Sequence, residues 1–167
     1  MARLELRFLG DPILRAKAGE VAQITEATLR LIEDMFETMY AEEGVGLAAP
    51  QVGVGERIIV VDPRDDETER FALINPVILE HGSDTDRDEE GCLSIPGIKD
   101  IVERPATVIV EGLTPAGERR RIEADGLLAR ILQHEIDHID GILFIDRLSP
   151  LKRKLALSKW QKVKPTA

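Results

Sequence analysis

A chain of 167 residues with 43% hydrophobic and 32% charged side chains has the size of one domain, 1–167, and a composition that excludes a disordered chain. Its net charge of −9 is uneven, because residues 147–167 carry seven basic side chains (Arg147, Lys152, Arg153, Lys154, Lys159, Lys162, Lys164) and no acidic one, leaving +7 there and −16 elsewhere. An acidic body argues against DNA or other broad nucleic-acid binding, whereas the basic stretch suits either a local RNA contact or a solvated helix end.

At the N-terminus, MARLELRFLGDP has no apolar stretch long enough for a signal peptide, and no run elsewhere approaches a membrane span, so a cytoplasmic protein without membrane contact is expected. Thr25 caps a first helix over about 26–42, with Ile24 and Leu29 spaced as a hydrophobic staple. Leu29, Ile32, Met35, Phe36, Met39 and Tyr40 recur at helical intervals and are expected to face the core, and Gly44 is a stop signal. Segments 57–61 and 71–79 read as strands, the second interrupted at Asn75-Pro76, with a charged loop over 62–70 between them. Residues 80–89 read as acidic and turn-rich. Segments 106–111 and 118–123 flank a turn over 113–117 and form a hairpin. A second helix spans about 126–139, capped by Asp125 and stopped by Gly141. A third opens at Ser149-Pro150, a cap followed by proline at the first helical position, so 148–167 forms a basic C-terminal helix and tail. This order suggests an α+β fold in which antiparallel β-sheets pack around one buried central helix, with N-terminal and C-terminal helices.

The sharpest chemical signal is His134-Glu135-Ile136-Asp137-His138, an HExxH sequence on the second helix. Positions four apart share a helix face, so both imidazoles reach one cation, and the intervening glutamate points toward a water beside it. Read alone, HExxH also fits a helix with no metal. Leu127, Leu128, Ile131 and Leu132 make this helix apolar over much of its girth, so it is buried, and buried imidazoles need partners. A catalytic ion of this kind takes three protein ligands and one open position. No histidine or glutamate follows His138; Asp140 and Asp146 do. Upstream stands the single cysteine, Cys92, which excludes an intrachain disulfide and suits a reducing compartment. It reads as a small buried hydrophobe or as a ligand. His81, in a polar turn, reads as solvent-exposed. The small residues of Gly44-Val45-Gly46-Leu47-Ala48-Ala49-Pro50-Gln51 let backbone approach a neighbour or a substrate closely, and the segment lacks the lysine and hydroxyl of a phosphate loop. Asp137 and Asp140 read as orienting groups for ligands or as helix-end solvation, the latter favoured for Asp140.

GVGLAAPQ at 44–51, EGCLS at 90–94 and QHEIDHIDG at 133–141, in this order and separation, resemble the three signature motifs of peptide deformylase. The resemblance extends to GDPILR at 10–15 and LFIDRLSPLKR at 143–153, and so spans essentially the whole chain. It implies a divalent metal held by Cys92, His134 and His138 with water in the fourth position, ferrous iron being usual in the family and zinc, nickel or cobalt able to occupy the site. It further implies that Glu135 exchanges protons with that water and with the departing amine. The substrate would be an N-formylmethionyl nascent polypeptide, with formate released. The Gln51 side-chain amide and the Leu93 backbone N–H would meet the formyl oxygen, and the Gly44–Gly46 edge would pair with the peptide backbone. Val45 and Ile131 would wall the methionine pocket.

Two other readings follow from parts of the pattern. HExxH alone fits a metalloprotease cutting internal peptide bonds, against which stands the absent downstream His or Glu ligand. The basic tail fits a ribosome-associated module with a structural metal, closed by a carboxylate or His81.

Overall fold

The computed structural model describes residues 2–165. Seven strands and three longer helices follow one another as α1 (Glu26–Ala41), β1 (Gly46–Ala48), β2 (Ile58–Val61), β3 (Phe71–His81), β4 (Thr85–Gly91), β5 (Lys99–Pro105), β6 (Thr107–Leu113), β7 (Arg119–Asp125), α2 (Gly126–Ile139) and α3 (Pro150–Val163). The strands form an antiparallel five-stranded sheet, ordered β1-β2-β3-β6-β7, and a separate β4-β5 ribbon. The α+β reading holds, with α2 as the central helix.

Both faces of the larger sheet are covered near β2. Ile59 and Val61 pack with Leu132, Ile136 and Ile139 of α2, while Ile58 and Val60 pack with Ile32, Met35 and Met39 of α1. Alternating residues of one strand thus face two different helices, which is why β2 reads as a continuous apolar run. A third cluster joins Ile95, Ile98 and Val102 to Phe144 and to Ala156 and Trp160 of α3. This last cluster seats the turn that follows β4.

Helix α1 starts as its sequence predicts. The Thr25 hydroxyl accepts the Thr28 N–H, and the Thr28 hydroxyl accepts that of Thr25, a reciprocal cap. Leu29 departs from expectation: it is 41% exposed and lines a surface hollow with Phe36, Phe71 and Pro115. Asp125 sits at the N-cap of α2 but its side chain makes no capping bond, and Gly126 turns the chain with φ +52° instead.

Strand β3 is not broken at Asn75-Pro76. It shifts register between Ile74 and Val77, with Asn75 at φ +53°. The Asn75 side chain accepts the Val21 N–H and donates to the Val21 carbonyl, replacing the ladder bonds lost at the bulge. Residues 85–91, which overlap the 80–89 stretch expected to be turn-rich, form the first strand of the β4-β5 ribbon, and β1 and β5 are also strands the sequence pattern does not announce. The ribbon lacks apolar alternation because most of β4 is exposed. Opposite charges face each other across it instead, Asp86 opposite Arg104 and Arg87 opposite Glu103.

Candidate metal centre and active cleft

Residues 129–139 of α2 are all buried, the HExxH segment among them. His134 and His138, one turn apart, bring their Nε2 atoms within 3.3 Å of each other, and Cys92 Sγ lies 3.3 Å from His138 Nε2. One donor atom from each of these three side chains falls within 4.8 Å of the others. Two imidazole nitrogens and a sulfur converging this closely in a buried place leave lone pairs facing lone pairs. A shared cation resolves that conflict, and thiolate with imidazole is a donor set that divalent iron, zinc, cobalt and nickel accept. The residues therefore fit a metal.

Cys92 follows the end of β4 in a tight turn. The Ile95 N–H donates to the Cys92 carbonyl (3.0 Å) and the Ser94 N–H points at Sγ (3.4 Å). Gln51 arrives from the single helical turn Ala49–Val52 after β1. Its Oε1 accepts the Ala48 N–H at 2.9 Å, which turns Nε2 toward Ser94 Oγ (3.2 Å) and Cys92 Sγ (3.5 Å). The Leu93 N–H donates to no group among the described residues.

Glu135 is 4% exposed and its Oε1 has no hydrogen-bond partner. Burial pushes its carboxyl up to about 7. A Cβ placed on Gly46 would stand 2.6 Å from Glu135 Oε2 and 2.9 Å from Ile131 Cγ2, and one on Gly44 would stand 2.9 Å from Leu93 Cδ1. Glycine at these two positions lets the β1 edge lie directly against the helix and the Cys92 turn. A cleft of about 1040 Å³ opens here, lined by Gly44, Val45, Gly46, Gln51, Cys92, Leu93, Ile131, His134 and Glu135. His138 closes the rear of the cluster, with a buried Nδ1 that has no partner. Burial, and then the neighbouring His134 ring, hold the His138 imidazole well below its ordinary range. All the residues singled out from the three motifs thus come together. His81 does not: it is exposed at the end of β3, opposite Val108.

Sequence reasoning missed the charged groups behind the cluster. The Glu90 carboxylate meets four donors: Oε1 takes His134 Nδ1 and Arg104 Nη2, both at 2.9 Å, and Oε2 takes Arg104 Nε at 2.5 Å and Arg130 Nη1 at 2.6 Å. Burial alone would raise this carboxyl, but the bonds from His134 and Arg104 outweigh it and hold Glu90 far below the usual carboxylate range. Asp137 accepts Arg104 Nη1 at 2.9 Å and Arg147 Nη2 at 2.8 Å, which joins the ribbon to the segment after α2. Asp137 therefore belongs to the orienting network, and Asp140 instead pairs with Arg57 at 2.9 Å near the surface. Glu90 had one available signal, its place in the EGCLS motif two residues before Cys92. Arg104 and Arg130 carry no such mark.

This helix, ribbon and edge strand build a hydrolytic enzyme, and the comparisons agree. The polypeptide deformylase family model matches residues 4–154, and the chain belongs to that family. A peptide deformylase from Thermodesulfovibrio yellowstonii is 50% identical over 163 residues, covering 96% of this chain and 98% of its own. One from Neisseria meningitidis is 50% identical over 165 residues, covering 97% and 98%. Among solved structures, a Legionella pneumophila peptide deformylase superposes with TM-score 0.91 at 47% identity, covering 98% of this chain and 96% of that one. The Synechococcus elongatus enzyme in complex with actinonin superposes with TM-score 0.90 at 43% identity, covering 99% and 94%.

Proposed function

We propose that this deformylase removes the N-formyl group from formylmethionyl nascent polypeptides in the cytoplasm, with one divalent metal held by Cys92, His134 and His138. The observation that carries this reading is the convergence of those three donors beside a buried, unpartnered Glu135 oxygen. Ferrous iron is the expected ion, on the family resemblance. Such an ion, when bound, supplies Lewis acidity toward a carbonyl oxygen and toward water.

The chain's own residues do the rest. Strand β1 lies at the edge of the sheet, and the Gly44–Gly46 segment leading into it is proposed to hydrogen-bond the substrate backbone by strand addition, with Val45 and Ile131 against the methionine side chain. Gln51 Nε2 and the Leu93 N–H donate to the formyl oxygen as charge grows on it, a contribution of about 3 kcal/mol for one such donor. Glu135 takes a proton from the attacking water and delivers it to the amine nitrogen as the carbon–nitrogen bond breaks. Formate and a free amino terminus leave. The whole chain works as one catalytic domain in this scheme. The exposed basic side chains of α3, Arg153, Lys154, Lys159 and Lys162, are proposed to meet the ribosome. Truncation after 150 is a poor test of that contact, because Trp160 is buried against the segment that carries Cys92; charge reversal on the exposed face is cleaner.

Formate release from formyl-Met-Ala by anaerobically prepared protein, with one iron per chain, is the expected result. A metal-replete preparation that releases no formate overturns the reading, and cleavage of unformylated peptides would favour an internal-bond protease.

A further inference from the structure

Arg130 has no place in the reaction just described, yet it is 6% exposed and makes three hydrogen bonds. It stands four residues before His134, on the same face of α2. Its Nη1 donates to Glu90 Oε2 at 2.6 Å and to the Val102 carbonyl at 3.0 Å, and its Nη2 donates to the Asp86 carbonyl at 2.9 Å. Those three acceptors lie on β4 and β5, so one guanidinium fastens the helix that carries both histidines to the ribbon that leads into Cys92.

Arg104 of β5 grips Glu90 with two bonds and reaches α2 indirectly, through Asp137. Arg130 and His134 are the α2 side chains that bond Glu90 directly. We propose that Arg130 is a positioning residue: by holding Glu90 Oε2 it keeps Oε1 facing His134 Nδ1, which fixes the His134 ring with Nε2 turned toward Cys92 and His138. The inference rests on the reading that these three residues hold a divalent ion. Partners of this kind typically change metal affinity by about 10- to 100-fold.

The test is anaerobic titration of the metal-free protein with Co²⁺, followed by its visible thiolate and ligand-field bands, for wild type, Arg130→Leu, Glu90→Gln and the double variant. Arg130→Leu should weaken Co²⁺ binding about tenfold and shift the ligand-field bands. In the Glu90→Gln background the same change should add little, because the route through Glu90 is already cut. Unchanged affinity in Arg130→Leu, or full additivity with Glu90→Gln, overturns the proposal. If the leucine variant does not fold, Arg130→Lys carries the test: affinity below wild type supports the proposal and equality overturns it. A wild-type protein that shows no thiolate–cobalt band defeats the underlying metal reading itself, a result distinct from a normal wild type with an unaffected variant.

Discussion

Helices α2 and α3 are each 14 residues long, and they make opposite use of that length. Eleven consecutive residues of α2 are buried, six of them polar or charged: Arg130, Gln133, His134, Glu135, Asp137 and His138. Helix α3 buries only Ala156 and Trp160 and leaves its cations in water. A solvated charge costs little and organises little. A buried one must find partners or destabilise the fold, so α2 commits its polar side chains to specific neighbours. Gln133, for instance, donates to the Pro105 and Ala129 carbonyls. Of the two fully buried side-chain atoms of α2 without partners, Glu135 Oε1 stands at the proposed reaction centre, and His138 Nδ1 belongs to the ring whose Nε2 faces Cys92 and His134.

The contrast can be broken at its strongest point first. Replacing Glu135 by alanine should lower kcat/KM for formylated peptides by about 100- to 10,000-fold, the range for a lost general base, with metal content retained; steady-state formate assays and metal analysis check both halves. A buried glutamate that proves dispensable would reduce α2 to a scaffold. Trp160→Ala removes the one large anchor of α3 and should cost about 3–5 kcal/mol in urea unfolding, much of it through the cluster with Ile95 and Ile98. Gly46→Ala forces a methyl group to within 2.6 Å of Glu135 Oε2. Overpacking of that kind costs about 1–3 kcal/mol, and here kcat should fall more than thermal stability. The smallest effect belongs to the exposed face of α3. Lys154→Glu with Lys159→Glu should alter stability by no more than about 0.5 kcal/mol and leave turnover of short peptides unchanged, while weakening co-sedimentation with ribosomes.

The metal reading sharpens the same comparison from the ligand side. An ion that binds only the folded chain adds about 3–4 kcal/mol of stability at 100 to 1,000 times its dissociation constant. Chelation should therefore lower the melting temperature of wild type, and do so far less in His138→Ala. Equal shifts in both would place the ion elsewhere.

Legibility in the sequence followed the same division. The HExxH spacing on a periodic apolar helix, the Thr25 cap and the Ser149-Pro150 helix start are local codes, written in residues at most a few positions apart, and each reappears in the structure. The Asn75-Pro76 pair marks a disturbance in the β3 run, but that the strand continues past it depends on Val21, 54 residues away. The β4-β5 ribbon was not visible at all, since most of β4 is exposed and the strands pair charged residues instead of showing apolar alternation.

Local residue order thus determined the helices, the main apolar strands and the types of side chain brought to the chemistry. The three motifs also determined family resemblance, because each keeps its own spacing. Tertiary structure alone decided that Glu90 takes His134 and two arginines from different elements, that Arg147 holds Asp137, and that Arg130 joins helix to ribbon. Those contacts span 10 to 44 residues and leave no periodic trace, because a buried charge is defined by what surrounds it in space and not by its neighbours along the chain.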